Sequence, residues 1–229
     1  GSIFIDYYYW GDNGTGSHRF DTKHFPDPKG MIDRLHKEYD THVVATMWPC
    51  FKPATDNYRR MAEAGCLLDS AKAIDGIVYD AFNPKAAELY NEMAAGLVDT
   101  GIDGWFLDGP EPDQANTFLP NMTHDGPAVT VRNVFPIVHA TNFRRGLDRR
   151  RPGQRHYMLT RCAWAGQQRT GTAVWSGDIP SDFNELRTQI PAGLNFTATG
   201  IPYWTTDIGG YFRGDPASEE YRETFTRWF

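Results

Sequence analysis

Short apolar segments alternate with longer amphipathic segments along this chain, and this alternation constrains the fold more than any other feature. Strands separated by helices form βαβ units, whose right-handed crossovers produce a parallel sheet. We predict strands over residues 2–10, 42–49, 105–107, 156–161, 171–178 and 200–207, with a short one over 76–80. We predict helices over residues 25–39, about 55–65, 83–101, about 127–148, about 182–198 and 223–229.

Residues with known capping preferences mark several helix ends. Asp27 and Asn83 each precede a proline and are predicted N-caps, because a proline is well tolerated in the first helical turn. Gly65 and Gly101 follow the ends of their helices, where glycine is favoured. Pro136 lies inside the 127–148 segment, and we expect a kink there.

The strand count indicates an incomplete barrel. The pattern contains about six principal strands, whereas a closed (β/α)8 TIM barrel has eight. We therefore predict an α/β fold in which residues 1–229 form a single domain, part of a (β/α)8 barrel. We also expect this chain to be an excerpt of a longer protein.

Charged residues stand at the carboxyl ends of the predicted strands. Asp6, Asp108, Asp178 and Asp207 close four of the apolar segments, and Arg161 closes another. The strand ends on one face of an α/β barrel build its active site. Five charged side chains from separate parts of the sequence should therefore converge on one pocket.

Composition and charge exclude several other classes of function. The net charge is −6, and the basic segment 144–155 reads as a solvated helix end, so we expect no nucleic-acid partner. No apolar run has the length of a membrane span and no signal-peptide pattern opens the chain, so we expect a soluble protein, either cytoplasmic or periplasmic or secreted. Three unpaired cysteines, and seven histidines without an HxH or HExxH pattern, argue against a disulfide framework and a metal site.

Aromatic residues are unusually frequent, at 14% of the chain. Several follow strands, where an aromatic platform beside carboxylates suits a sugar, since a sugar ring has apolar faces and hydroxyl edges. Tyr8, Trp48, Trp164 and Trp204 either line such a pocket or pack in the barrel wall. The sequence leaves these two alternatives open.

Three long motifs resemble glycoside hydrolase family 31. They are WFLDGPEP at 105–112, LTRCAWAGQQRTGTAVWSGD at 159–178 and IPYWTTDIGGYF at 201–212. FDTKHFPDPKGMIDRLH at 20–36 is similar to an early barrel segment of the same family. The resemblance implies a retaining α-glycosidase on a (β/α)8 barrel. WPCF, QIPAGLNF and YWTTDIGGYF are most similar to its α-xylosidase branch.

The resemblance also implies roles for the five strand-end residues. Asp108 falls on the family's nucleophile and Asp178 on its general acid/base. Arg161, Asp207 and Asp6 fall on residues that bind the sugar in the −1 subsite. No metal or organic cofactor is required by this chemistry.

The retaining mechanism asks for two carboxyl groups in different environments. We expect Arg161 and backbone donors to keep Asp108 charged, and aromatic cover by Trp175 to favour the protonated form of Asp178. With Tyr8 and Trp48, Trp175 completes the predicted substrate-binding residues.

Residues near the nucleophile depart from the family pattern. Small residues commonly follow the nucleophile in the family, whereas Gly109-Pro110 follow Asp108 here, and Pro110 could shift the loop that carries Glu111. Cys162 stands where a serine is common. We interpret Glu111 as a loop anchor that pairs with a nearby base rather than as a catalytic group.

The predicted function is therefore hydrolysis of terminal α-xylosyl residues from an oligosaccharide or α-glycoside by double displacement. An α-glucosidase or α-glucosyltransferase on the same machinery is the alternative, and a non-catalytic sugar-binding member of the family is another. A metal-dependent hydrolase would need paired histidines at a strand end, which the sequence lacks.

Overall fold

The computed structural model describes residues 1–112 and 114–229. Its strands are β1 (Ser2–Ile5), β2 (His42–Met47), β3 (Cys50–Phe51), β4 (Leu67–Ala73), β5 (Gly76–Tyr79), β6 (Gly104–Leu107), β7 (Met122–Thr123), β8 (Gly126–Pro127), β9 (Tyr157–Thr160), β10 (Thr172–Trp175) and β11 (Trp204–Thr205). Its α-helices are α1 (Pro28–Tyr39), α2 (Asp56–Glu63), α3 (Pro84–Asp99), α4 (Ala115–Phe118), α5 (Ala128–Val131), α6 (Phe135–Arg150), α7 (Phe183–Ala198) and α8 (Glu219–Trp228). Short 3₁₀ turns occupy Gly11–Asn13, Arg132–Val134 and Gln167–Thr170.

A parallel sheet of six strands forms the frame of the molecule, in the order β1-β2-β6-β9-β10-β11. Every neighbouring pair in this sheet is parallel, and the spatial order follows the order in the chain. Successive crossovers of one hand turn such a sheet into a barrel wall. The six principal strands and the incomplete TIM barrel are thus confirmed.

The two sheet edges, β1 and β11, carry exposed apolar side chains. Ile3 and Phe4 of β1 are nearly half exposed, and Tyr203 beside β11 is more exposed still. Ile190 and Leu194 on α7 are also exposed, although their segment reads as apolar in the sequence.

A small antiparallel sheet, β3-β5-β4, is inserted between β2 and α3. The short strand over 76–80 is therefore real, but it pairs here rather than in the barrel wall. β4 was not predicted, because Asp69, Ser70 and Lys72 interrupt its apolar pattern. Its pairing with β5 also shifts register between Leu67 and Lys72.

The predicted strands over 2–10 and 200–207 are the two that the structure shortens most. The 2–10 segment ends as a strand at Ile5, and the chain then turns so that Tyr9 and Trp10 are buried in the core. Tyr9 packs on Phe20 with ring centroids 4.9 Å apart. The 200–207 segment keeps only two residues in β11. In both places apolar residues are buried by loops, which hydrophobicity alone does not distinguish from strands.

The predicted helix caps are present. Asp27 accepts a hydrogen bond from the Gly30 amide at 2.9 Å, and Asn83 accepts one from the Lys85 amide at 2.9 Å. Gly65 follows the last turn of α2 with φ of 65°. The prediction of a kink at Pro136 is wrong. A 3₁₀ turn separates α5 from α6, and Pro136 lies in the first turn of α6. A proline is well tolerated there, because the N–H groups of the first turn have no partner within the helix.

Strand alternation divides the barrel wall into two faces. Trp105 of β6 points outward and packs edge-on against Phe143 of α6, with centroids 5.3 Å apart. Phe106, the next residue, points to the opposite face and contacts Phe4 and Trp175. The main core therefore lies between sheet and helices, while Phe106 faces the barrel interior.

The basic segment at the end of α6 is paired with α3 and its carboxyl end. Arg149 contacts Glu88 at 2.7 Å, and Arg150 contacts Asp99. Arg151 donates to the Ile102 carbonyl at 2.8 Å. These contacts fit the predicted helix end. Within residues 1–112 and 114–229 no helix combines the length and apolar character needed to cross a bilayer.

Candidate active site

A cavity of about 660 Å³ opens at the carboxyl end of the six-stranded sheet. All five predicted strand-end residues line it, namely Asp6, Asp108, Arg161, Asp178 and Asp207. The structure thus brings together side chains that are as much as 201 residues apart in the sequence.

The strands place these side chains directly. Asp6, Asp108 and Arg161 are the first residues after β1, β6 and β9. Asp178 follows β10 after two residues, and Asp207 follows β11 after one. Because neighbouring strands are parallel, their carboxyl ends share one edge, and each residue there faces the same cavity.

Arg161 is the centre of the charged cluster. Its Nη1 lies 3.2 Å from Asp108 Oδ1, its Nε lies 3.1 Å from Glu111 Oε1, and its Nη2 lies 3.7 Å from Asp178 Oδ2. The planar guanidinium presents donors in a fixed fork, so it holds several carboxylates in defined relative positions.

Asp108 is the most perturbed carboxyl group of the cavity. Its side chain is 14% exposed, and burial raises its pKa to about 6. Arg161 and the Gly109 amide, which donates to Oδ1 at 2.9 Å, act in the opposite direction, and the charge of Glu111 adds to the rise. Desolvation outweighs the attraction of Arg161 and the Gly109 amide, so Asp108 is a weaker acid than a free carboxyl group. Asp108 is still mostly ionised at pH 7.

Asp207 is also perturbed. Its pKa is raised first by burial and then by the negative charges of Asp178 and Asp6, and Arg161 partly offsets these effects. The repulsion shows that these carboxylates share one electrostatic environment. A polar ligand that donates hydroxyl groups would find several acceptors here.

Glu111 pairs with a base, as its position in the sequence predicted. Its Oε1 accepts from Arg161 Nε, and its Oε2 accepts from Cys162 Sγ at 3.7 Å. Burial and the neighbouring carboxylate raise the pKa of the Cys162 thiol well above its usual range, so the thiol stays protonated and donates. Glu111, which Cys162 contacts, therefore binds Arg161 through Nε, a different donor from the Nη1 that contacts Asp108.

The aromatic residues divide between the cavity and other places. Trp48 and Trp175 line the cavity, and both are at least nine-tenths buried. Tyr8 is 58% exposed and lies outside the lining, whereas its neighbour Tyr7 is part of it. The rings of these two tyrosines pack edge to face, with centroids 4.9 Å apart.

Two further tryptophans lie outside the cavity lining. Trp164 is 44% exposed. The Trp204 ring packs so closely against Gly193 of α7 that a Cβ there would lie 2.5 Å from it.

Several lining residues were not predicted from the sequence. Phe4 and Phe106 belong to the inward faces of β1 and β6. Ile74 reaches the cavity from the turn between β4 and β5. Tyr211 follows the DIGG segment, and its place in the IPYWTTDIGGYF motif was an available signal. Ile74 had no such signal, because β4 was not predicted.

The backbone conformation and the packing at position 109 require a glycine after Asp108. Its φ is 63°, which disfavours other residues. A Cβ at this position would lie 2.2 Å from the Trp48 ring. Glycine therefore lets the indole close over the chain beside the carboxylate.

The cavity chemistry is that of carboxylates and one arginine. In the described part of the chain, the histidines and carboxylate that group as potential metal ligands lie elsewhere, at His36, His42 and Asp103. Carboxylates held on one guanidinium beside tryptophans, at the carboxyl end of a parallel barrel sheet, are typical of glycoside hydrolases. Fold and site together are typical of the barrel domain of the glycoside hydrolase class.

The chain belongs to glycosyl hydrolase family 31. The profile of the family 31 TIM-barrel domain matches residues 1–229. The chain is 37% identical over 233 residues to an alpha-xylosidase of Saccharolobus solfataricus, covering 99% of this chain and 31% of that protein. It is 34% identical to a family 31 glucosidase of Pseudescherichia vulneris, covering 99% of this chain and 44% of that protein.

A solved structure gives the same result. The chain superimposes on a GH31 alpha-xylosidase from a soil metagenome, crystallised with xylose, with a TM-score of 0.91 and 38% identity. The match covers all of this chain and 35% of that one. The chain thus spans between 31% and 44% of the length of these relatives.

Proposed function

We propose that this barrel carries the catalytic centre of a retaining α-glycoside hydrolase that acts on terminal α-xylosyl residues by double displacement. The observation that carries the proposal is that Asp108 and Asp178 contact the same guanidinium. Arg161 Nη1 lies 3.2 Å from Asp108 Oδ1, and Arg161 Nη2 lies 3.7 Å from Asp178 Oδ2. A retaining mechanism needs two carboxyl groups about 5–5.5 Å apart. A shared arginine between two strand ends supports such spacing.

In the first step Asp108 attacks the anomeric carbon from the face opposite the leaving group. The new carbon–oxygen bond forms as the glycosidic bond breaks, and Asp178 gives its proton to the departing oxygen. Asp108 must be ionised for this step, and its raised pKa makes the carboxylate more basic and more nucleophilic. Arg161 provides the positive charge that limits the rise.

In the second step water attacks the glycosyl-aspartate from the leaving-group side. Asp178, now a carboxylate, takes the proton of this water, and Asp108 leaves with its electron pair. Two inversions give net retention. The exposure of Asp178, whose side chain is 30% exposed, suits a group that must meet both the aglycone and water.

The other cavity residues hold the sugar. Asp6, Asp207 and Arg161 offer acceptors and donors to ring hydroxyls, which fixes the anomeric carbon near Asp108. Trp48 and Trp175 provide apolar surface for the ring faces.

The preference for xylose over glucose rests on two observations. Relatives at 37% and 38% identity are named alpha-xylosidases. The described cavity walls include the large side chains of Tyr7, Phe106 and Tyr211, which reduce the room for a hydroxymethyl group. The second candidate is an α-glucosidase, which the glucosidase relative at 34% identity favours.

The test compares kcat/KM of the protein for p-nitrophenyl α-xyloside and p-nitrophenyl α-glucoside. We expect at least a tenfold preference for the xyloside, and loss of both activities in the Asp108→Ala variant. A preference for the glucoside would favour the second candidate. A folded protein that binds xylose but turns over neither substrate would contradict hydrolysis itself.

A further inference from the structure

Two histidines and an aspartate meet at the end of the sheet opposite the cavity. His36 lies in the last turn of α1, His42 is the first residue of β2, and Asp103 directly precedes β6. Strands of a parallel sheet all start at one edge, so this group, which we call the lower-rim cluster, lies a strand length from the cavity. The proposed reaction does not use it.

The distances in the lower-rim cluster are short. His36 Nε2 lies 2.8 Å from Asp103 Oδ2, and His42 Nδ1 lies 3.2 Å from Asp103 Oδ1. One atom from each of the three side chains falls within 4.8 Å of the other two. The three elements that supply them are independent, so the backbone fixes their approach.

The carboxylate is held in place by the backbone. The Val43 amide donates to Asp103 Oδ2 at 2.8 Å, and the Asp103 amide donates to the Val43 carbonyl at 2.9 Å. A hydrogen bond of this kind orients a metal-ligating carboxylate and is a common feature of metal sites. The Asp103 carboxylate is thereby fixed in position.

Two imidazoles and one carboxylate match the donor preference of Zn²⁺ and similar divalent transition metals, whereas Mg²⁺ and Ca²⁺ prefer oxygen donors. Tetrahedral coordination with bonds of about 2.0–2.2 Å sets donors roughly 3.4 Å apart. The distance from His42 Nδ1 to Asp103 Oδ1, 3.2 Å, is near this value, and the 2.8 Å distance from His36 Nε2 to Asp103 Oδ2 would lengthen when an ion enters. His42 has a side chain that is 68% exposed, so it is free to rotate toward His36, and solvent completes the coordination.

We propose that the lower-rim cluster of His36, His42 and Asp103 is a binding site for Zn²⁺ or a similar divalent transition metal. A bound ion would join the end of α1 and the start of β2 to the start of β6. It would stabilise the barrel wall without contributing to the chemistry in the cavity. A metal that binds the folded state alone raises the free energy of unfolding by RT ln(1 + c/Kd), where c is the free metal concentration, so stability grows with that concentration.

The test is titration of the chelator-treated, desalted protein with ZnCl₂, followed by calorimetry and by the thermal midpoint. We expect one bound Zn²⁺ and a higher Tm, with no Tm change from MgCl₂. His42→Ala removes an exposed ligand without disturbing the core, and it should weaken Zn²⁺ binding at least tenfold and abolish the Tm rise. Co²⁺ should show the absorption bands of a tetrahedral site in the parent protein.

The matched control is His24→Ala. His24 is exposed and lies 2.6 Å from Asp21, but this pair has no second histidine among the described groups of potential ligands. The control should keep the parent's Zn²⁺ affinity. No Zn²⁺ binding by the parent, or binding that survives His42→Ala unchanged, would overturn the proposal and leave the cluster as a hydrogen-bonded contact.

Discussion

Replacing Asp108, the proposed nucleophile, by its neutral isostere asparagine should stabilise the fold while abolishing activity. Burial raises the pKa of Asp108 from the ordinary 3.8 to about 6, so the folded protein disfavours the ionised carboxylate. Since one pKa unit corresponds to about 1.4 kcal/mol, the ionised Asp108 costs about 3 kcal/mol at pH 7. Asp108→Asn removes that cost, and Arg161 keeps Glu111 and Asp178 as partners.

The effect should depend on pH in a defined direction. Below pH 3.8 the carboxyl group is protonated in both folded and unfolded states, so its ionisation contributes nothing. Between pH 3.8 and 6 only the unfolded state loses the proton, and the cost to the folded state grows until it is complete above pH 6. The gain from Asp108→Asn should therefore be about 3 kcal/mol at pH 7 and about 0.5 kcal/mol at pH 4.

Urea unfolding of parent and variant at the two pH values measures this difference, and Tm at pH 7 should rise by roughly 5–10 °C. Asp33→Asn is the control, because Asp33 is an exposed carboxylate paired with Lys29 on α1, and its variant should leave Tm nearly unchanged. Destabilisation by Asp108→Asn at pH 7, or an equal gain at both pH values, would refute the reasoning.

Three further outcomes follow from the same site. The acid limb of kcat/KM should have a pKa of about 6, so the rate at pH 5 should be about a tenth of that at pH 7; a flat profile down to pH 4.5 would contradict an ionised Asp108 as nucleophile. Asp178→Asn should slow glycosides with poor leaving groups far more than activated aryl glycosides, and equal losses on both would exclude the acid/base role. Gly109→Ala should lower stability by about 1–3 kcal/mol and reduce kcat/KM at least tenfold, because its Cβ meets the Trp48 ring; an unchanged Tm and rate would show that the indole is not fixed there.

The charged residues of the cavity could be located from the sequence, because each stands immediately after or close to an apolar strand. Asp6, Asp108 and Arg161 each follow the last strand residue directly. This relation between chain order and sheet edge is set by the parallel fold, so it can be read from the pattern.

Side-chain direction and burial could not be obtained in the same way. Tyr7 rather than Tyr8 faces the cavity because the chain turns after Ile5, and that turn has no periodic signal. The acidity of Asp108 depends on how much water its neighbours exclude, which only the assembled cavity determines.

The lower-rim cluster could not be predicted from the sequence either. His36 and His42 are 67 and 61 residues from Asp103, so no short motif indicates their meeting. The register of β2 against β6 brings His42 close to Asp103, and the hydrophobic pattern does not predict the register of one strand against another.

The most direct test of the account is the anomeric configuration of the glycosyl azide formed when each carboxyl group is replaced by alanine. With an activated α-xyloside and azide, Asp108→Ala should give the β-xylosyl azide, because azide attacks in place of the missing nucleophile and inverts the centre once. Asp178→Ala should give the α-xylosyl azide, because azide opens the glycosyl-aspartate and completes two inversions. Proton NMR of the two products distinguishes them. The same anomer from both variants, or no azide product from either, would contradict the assignment of Asp108 as nucleophile and Asp178 as acid/base.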